Sequence, residues 1–236
     1  MAWTALQVRD KVRRDLDIDE DELVADEQLY AFINDAIRDM VAEMLKLGIE
    51  DKYYETRTQV SIVAGQEEYD VPSNVYVTKI YKMIHTRPGT RDVYPVKRLR
   101  GMKEYEQYHN ELVQPTSYNP TYRYKLMNEA GTPSFLLIPT PAVSEASALT
   151  LWHARKPTVV TAGATIVDVP EEFISFILNF VMVSCLKKDL GNPLLGTTME
   201  ELKRVRQLMT DTLTDQTSDG DNEVEMDLSH YADMGT

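Results

Sequence analysis

Two kinds of hydrophobic spacing follow one another along this chain of 236 residues, and their order limits the fold more than any single motif does. Near both ends, apolar residues recur every three or four positions, which is the spacing of one face of an α-helix. In the middle they alternate over short runs, which is typical of half-buried β-strands. The chain is therefore predicted to be α+β, with terminal helices that form a bundle and an inserted small antiparallel β domain.

This pattern predicts four segments. They are an N-terminal helical pair (1–50), an inserted β-rich domain (51–169), a C-terminal helical pair (170–216) and an acidic extended tail (217–236). Capping residues predict where the helices begin and end. They are the capping boxes Thr4–Gln7 and Thr198–Glu201, the helix starts Asp26 and Pro170 with Asp168 as a cap, and the helix ends Gly48 and Gly191.

Turn residues divide the middle segment into short strands. Arg57–Val63 and Glu68–Val71, joined at Ala64-Gly65, have the pattern of a hairpin, and Val75–Ile84 with Val93–Val96 have the pattern of another. The remaining predicted elements are a short helix, Leu99–His109, and the strands Thr121–Leu126, Phe135–Ile138, Ala148–Trp152 and Ile166–Val169.

The net charge of −13 is spread unevenly. From Asp211 to the C-terminus there are eight acidic residues and no Lys or Arg, and residues 17–27 hold seven more acids. Lys79–Lys103 instead carries eight basic residues, opposed by Asp92. The overall charge argues against coating a phosphate backbone with the whole surface. The basic stretch is either a solvated hairpin or an electropositive surface for an acidic chain or nucleic acid.

The chemistry-bearing residues predict no catalytic, cofactor-binding or metal site. The four histidines lack the i, i+4 spacing of a metal-binding helix, and there is no glycine-rich phosphate loop. Cys185 lies on the apolar face of a predicted helix and is expected to be a buried structural thiol. Tyrosines are abundant in the middle segment, where they could cover a sheet or anchor an interface. No apolar run is long enough for a membrane-spanning helix.

Four pieces in order make the chain resemble the head-to-tail adaptor (connector) proteins of tailed bacteriophages. They are Leu29-x-x-Phe32-Ile33-Asn34-Asp35-Ala36, the turn Glu68-Tyr69-Asp70-Val71-Pro72, the strand and Pro-x-Pro of Pro133–Pro141, and Leu149–Lys156 followed by Val169–Phe173. They span roughly residues 26–186. Val71 stands where the family has Leu, and the acidic tail matches no motif of the family.

The resemblance implies a structural virion protein and not an enzyme. Such a protein forms a homo-oligomeric ring, usually of twelve copies, which binds the portal protein above and tail or nozzle proteins below while genomic DNA passes through its channel. It would be assembled in the host cytoplasm, reside in the virion neck and need no cofactor or membrane. Two other classes stay open: a carboxylate-based hydrolase, which needs a buried acid pair, and a free nucleic-acid-binding regulator, which would use Lys79–Lys103.

Two groups of residues are expected to make contacts in such a ring. Arg98, Arg100 and Lys103 are expected at an intersubunit or portal-facing surface, or facing DNA in the channel. The tail is expected to be disordered in a free monomer, because it has little apolar surface, and to reach about 65 Å when extended. Its alternating apolar residues suit an extended segment that binds a groove or sheet edge, and the resemblance implies that the partner is the portal. These apolar residues are Val224, Met226, Leu228 and Tyr231.

Overall fold

The computed structural model describes residues 2–17, 24–87, 89, 92–111, 122–129, 131–188 and 192–218. The described residues form two compact units: a helical unit from Met1–Glu50 and Thr158–Thr236, and a β unit from Asp51–Pro157. The helices are α1 (Ala5–Leu16), α2 (Asp26–Leu47), α3 (Glu50–Tyr54), α4 (Met102–Glu111), α5 (Ile174–Leu186) and α6 (Leu194–Ser218). Together with two sheets, they confirm the predicted α+β class.

The first two helices begin differently. At α1 the predicted capping box is confirmed: Thr4 Oγ1 accepts from the Gln7 amide at 3.3 Å, and Gln7 Oε1 accepts from the Thr4 amide at 2.9 Å. The prediction that Asp26 caps α2 is wrong, because Ala25 holds the N-cap position and makes no side-chain cap. The Asp26 carboxylate instead binds the guanidinium groups of Arg9 (2.6 Å) and Arg13 (2.9 Å), which ties α1 to α2.

A side-chain clamp in α2 holds the segment that follows the β unit. The Asn34 amide donates to the Val160 carbonyl oxygen at 2.9 Å, and its own carbonyl oxygen accepts from the Val160 amide at 2.8 Å. The Val160 side chain is 2 % exposed. Both backbone groups of a buried residue are therefore satisfied by one side chain, which fixes the register of this segment on α2.

Replacing Asn34 with Ala is expected to lower the free energy of unfolding by about 1–3 kcal/mol, since the buried Val160 amide and carbonyl lose their partners. Urea unfolding followed by circular dichroism at 222 nm measures the change. Asp35→Ala is the matched control, because Asp35 forms an exposed ion pair with Arg38 on the same helix, and such a pair contributes at most about 1 kcal/mol. Equal effects from the two substitutions would contradict the clamp.

The C-terminal part of the helical unit departs from the predicted boundaries. The predicted strand Ile166–Val169 is wrong: it is reduced to one bridge between Thr4 and Ile166, since Ile166 is 57 % exposed and packs on no sheet. Pro170 is the N-cap of a 3-10 turn, Glu171–Phe173, that precedes α5, and no side chain caps this turn. The third helix also ends earlier than Gly191, at Leu186.

The second predicted capping box is also wrong, because α6 begins four residues before Thr198. The Asn192 side chain accepts from the Leu194 amide at 3.0 Å, and Pro193 suits the first turn, so the helix starts there. Thr198 donates its hydroxyl to the Leu194 carbonyl from inside the helix. Cys185, in α5, is 1 % exposed, and burial raises the pKa of its thiol to about 11, as expected of a structural thiol.

The β unit consists of two four-stranded sheets. Its strands are β1 (Glu55–Ile62), β2 (Glu68–Asp70), β3 (Val75–Thr86), β4 (Val93–Pro95), β5 (Lys97–Arg98), β6 (Arg123–Glu129), β7 (Thr132–Ile138) and β8 (Glu145–Arg155). The first sheet has the order β1-β8-β3-β4, and the second has the order β2-β7-β6-β5. All pairs are antiparallel except β5 with β6.

Of the two predicted hairpins, one is confirmed and one is wrong. β3 and β4 pair antiparallel, with His85 opposite Tyr94. β1 and β2 do not pair, because β1 joins β8 in the first sheet while β2 joins β7 in the second. The short link at Ala64-Gly65 therefore carries the chain from one sheet to the other, so that the apolar faces of both strands reach a common core.

That core lies between the sheets. Phe135 and Leu137 of β7, at 0 % exposure, face Leu149 and Leu151 of β8, also at 0 %. The outer side of the second sheet is partly covered by α4, which was predicted as Leu99–His109. Tyr108 of α4 packs under the Arg123 guanidinium at 3.8 Å, and Tyr105 packs 5.3 Å from the Lys125 ammonium.

Candidate functional site

One buried polar residue of the β unit, His85, contacts a carboxylate and a tyrosine ring. Glu145 Oε2 lies 2.7 Å from His85 Nε2, and His85 is 4 % exposed. Tyr122 meets the imidazole edge-on at 4.9 Å, and burial together with the charge of Glu145 raises the pKa of Tyr122 to about 12. Because the ring is buried, the contact orients side chains within the core of the β unit.

A carboxylate-based hydrolase would need two buried acids that face each other. In the described ranges the buried polar side chains are those of His85, Ser134, Thr150 and His153, and none is a carboxylate. His153 is held by Thr58, 2.9 Å from its Nε2, and lies at 0 % exposure. The same ranges contain no group of three or more His, Cys, Asp or Glu side chains placed to hold a metal ion.

Several tyrosines of the middle segment are buried in the core of the β unit. Tyr54, Tyr69, Tyr122 and Tyr124 are buried, and Tyr81 is exposed at 43 %. Tyr69 stacks on Phe135 at 5.5 Å, and its hydroxyl lies within hydrogen-bonding distance of the Val63 amide and carbonyl. These four rings therefore cover core, which was one of the two roles the sequence left open.

A cluster of exposed cations lies at one edge of the second sheet. β5 is the last strand in the order β2-β7-β6-β5, and it supplies Lys97 and Arg98. Arg100 and Lys103 follow, before and within the first turn of α4. All four side chains are exposed, and we call this group the basic edge. It contains the three residues singled out from the sequence, Arg98, Arg100 and Lys103.

The opposite edge of the same sheet is acidic. β2 supplies Glu68 and Asp70, whose side chains are exposed on either side of the buried Tyr69, and Glu67 immediately precedes the strand. Glu68 accepts from the Ser134 hydroxyl at 2.6 Å, and Glu67 accepts from the Thr140 hydroxyl at 2.5 Å. We call Glu67, Glu68 and Asp70 the acidic edge. In the sequence, Glu68 and Asp70 stand out as part of the turn motif Glu68–Pro72 and not as a charged surface.

Charged side chains of the helical unit form ion pairs, whereas those at the two edges of the second sheet do not form them with described residues. In the helical unit Arg206 binds Asp39 at 2.9 Å and Arg9 binds Asp26. Among the described residues, none forms an ion pair with a cation of the basic edge or with an acid of the acidic edge. Exposed, unpaired charges grouped by sign are what a surface for a charged partner requires.

Exposed apolar side chains accompany both edges. The acidic edge is next to a loop tip formed by residues 63–66 and 141–144, in which Val63 is 45 % and Val143 is 64 % exposed. This tip is held by a hydrogen bond from the Gly65 amide to the Pro141 carbonyl, at 2.8 Å. At the basic edge Met102 is 51 % exposed. Charge and apolar surface therefore occur together at each edge.

Val224, Met226, Leu228 and Tyr231, which were expected to bind the portal, lie outside the described residues. Helix α6 extends to Ser218, two residues into the segment predicted as tail.

Comparisons with known proteins show what the chain is similar to as a whole. A family model described as SU10 adaptor protein matches residues 3–226, which include both units and part of the tail. A search of curated proteins finds no match. Within the described residues, no helix is both long enough and apolar enough to cross a membrane.

Proposed function

Since the chain belongs to the SU10 adaptor family, whose members are structural adaptor proteins of bacteriophages, we propose that it forms the ring that joins the DNA-filled head to the tail. The match over residues 3–226 carries this proposal, because it covers the helical unit, the inserted β unit and the first part of the tail together. The ring, of twelve copies as in many adaptors, docks on the portal protein and lines the DNA channel.

The partners follow from this position in the virion neck. The portal lies above the ring, tail or nozzle proteins dock below it, and genomic DNA passes through its centre. The ring is assembled in the host cytoplasm, contacts no membrane and performs no catalysis. We assign Arg98, Arg100 and Lys103 to a surface that faces a neighbouring copy, the portal or DNA, and the alternating tail residues Val224, Met226, Leu228 and Tyr231 to the portal.

Adding the purified chain to DNA-filled heads that lack it is expected to make those heads competent to accept tails. The heads are isolated from particles in which the gene for this chain is inactivated, and tail joining is counted by electron microscopy and by infectivity. Serum albumin at the same concentration is the control. Heads that join tails equally well without the chain, or that never bind it, would overturn the proposed function.

A further inference from the structure

We propose that in the assembled ring the acidic edge of one copy binds the basic edge of the next copy. The inference rests on the proposed function, because it requires several copies side by side. Of the three surfaces that the basic edge could face, a neighbouring copy, the portal or DNA, it then faces the neighbouring copy. The contacting residues are Glu67, Glu68 and Asp70 on one copy and Lys97, Arg98, Arg100 and Lys103 on its neighbour.

The topology of the second sheet gives the contact a direction. β2 and β5 are the two ends of a four-stranded sheet, so the edges are separated by three strand spacings, roughly 14 Å. A copy that binds through its acidic edge keeps its basic edge available on the far side. The same contact can then repeat from copy to copy, and such a heterologous contact closes into a ring when the rotation between copies allows it.

Charge excludes the simplest competing arrangement. A two-fold dimer through either edge would place like charges against each other, because a two-fold contact uses the same patch on both copies. Like-charge contacts across an interface cost several kcal/mol in general. The unpaired charges of the two edges therefore favour the head-to-tail arrangement over a closed pair.

The contact is made by side chains and does not extend the sheet from copy to copy. β2 has three residues and β5 has two, and short, charged edge strands resist pairing with further strands. The Gln66 side chain also donates to the Glu68 carbonyl oxygen at 2.7 Å, which occupies an acceptor on the open side of β2. Val63 near the acidic edge and Met102 near the basic edge supply exposed apolar area beside the charges.

Charge reversal at one edge at a time tests this arrangement. The basic-edge variant is Arg98→Glu/Arg100→Glu/Lys103→Glu, and the acidic-edge variant is Glu67→Lys/Asp70→Lys, with Glu68 kept because it binds the buried Ser134 hydroxyl. Each variant is added to DNA-filled heads that lack the chain, and the copies that sediment with the heads are counted by quantitative mass spectrometry. Each variant alone is expected to bind at least tenfold less than the unmodified chain.

The decisive sample is an equimolar mixture of the two variants. In the mixture a copy with two acidic edges can alternate with a copy with two basic edges, so binding is expected to return to at least half the unmodified level, with equal amounts of both variants. A misfolded variant could not be restored in this way. Circular dichroism of each variant alone checks its fold.

A control variant carries the same change in charge elsewhere on the β unit: Arg57→Glu/Lys82→Glu/Lys156→Glu, at three exposed positions. It is expected to bind heads like the unmodified chain. The inference is overturned if the control loses binding equally, if either edge variant binds normally, or if the mixture stays unbound. A basic edge that faces DNA would leave the acidic-edge variant normal, and in the mixture that variant alone would sediment with the heads. Failure of the unmodified chain to bind heads would instead overturn the proposed function.

Discussion

Removal of residues 219–236 is expected to leave a folded chain that no longer stays on DNA-filled heads, with at least a tenfold loss of bound copies. The truncation begins after Ser218, where α6 ends, so neither unit loses a described residue. Extended, the removed eighteen residues reach roughly 60 Å. In Glu223-Val-Glu-Met-Asp-Leu228 acidic and apolar residues alternate, which in an extended segment puts the apolar side chains on one face.

Sedimentation with heads measures the effect, and thermal unfolding of the truncated chain checks that it folds. Val224→Ser/Met226→Ser/Leu228→Ser keeps every acid of the tail and removes the apolar face, so it separates apolar docking from charge. We expect this variant to lose binding nearly as strongly as the truncation does. Full binding by the truncated chain would show that the tail only adds charge and contacts nothing.

Phe135→Ala is expected to lower the free energy of unfolding of the β unit by about 3–5 kcal/mol, as is typical of a large aromatic removed from a core. Phe135 is 0 % exposed at the centre of the second sheet. Its ring stacks on Tyr69 at 5.5 Å and meets Tyr124 edge-on at 6.4 Å. The substitution removes both contacts together with the buried volume. It does so in β7, the strand that lies between β2 and β6 in the second sheet.

Urea unfolding followed by the fluorescence of Trp152 reports on the β unit, and a Trp3→Phe background removes the other tryptophan. Leu136→Ala is the matched control, since Leu136 is the next residue on the same strand and is half-buried on its other side. The control is expected to cost less than half as much. If both substitutions shift the midpoint equally, Phe135 is not central to the core.

Local patterns predicted the elements well where the cause is itself local. The Thr4 capping box depends on two side chains three residues apart, and Gly48 ends α2 because its φ of 74° suits glycine. Most strands were also predicted within a few residues. The predicted Asp26 cap was wrong because of a tertiary contact: Arg9 and Arg13 on the neighbouring helix bind its carboxylate.

Strand pairing could not be predicted in the same way. Val60 of β1 lies opposite Leu149 of β8, and nothing in the intervening chain marks them as partners. The two charged edges likewise differ in how well the sequence alone predicts them. The basic edge is visible in the sequence because its cations are close together along the chain. Its acidic counterpart becomes meaningful only once β2 and β5 are known to end the same sheet.

The insertion of the β unit also determines the order in which the protein can form during translation. Asp51–Pro157 is continuous in the chain, so the β unit can fold as soon as it leaves the ribosome. The apolar face of α2, including Ile33, Ile37 and Met40, is completed by α5, which is made more than a hundred residues later. At typical bacterial rates this delay is roughly 5–25 s, long enough for chaperones of the host cell to bind the waiting helices.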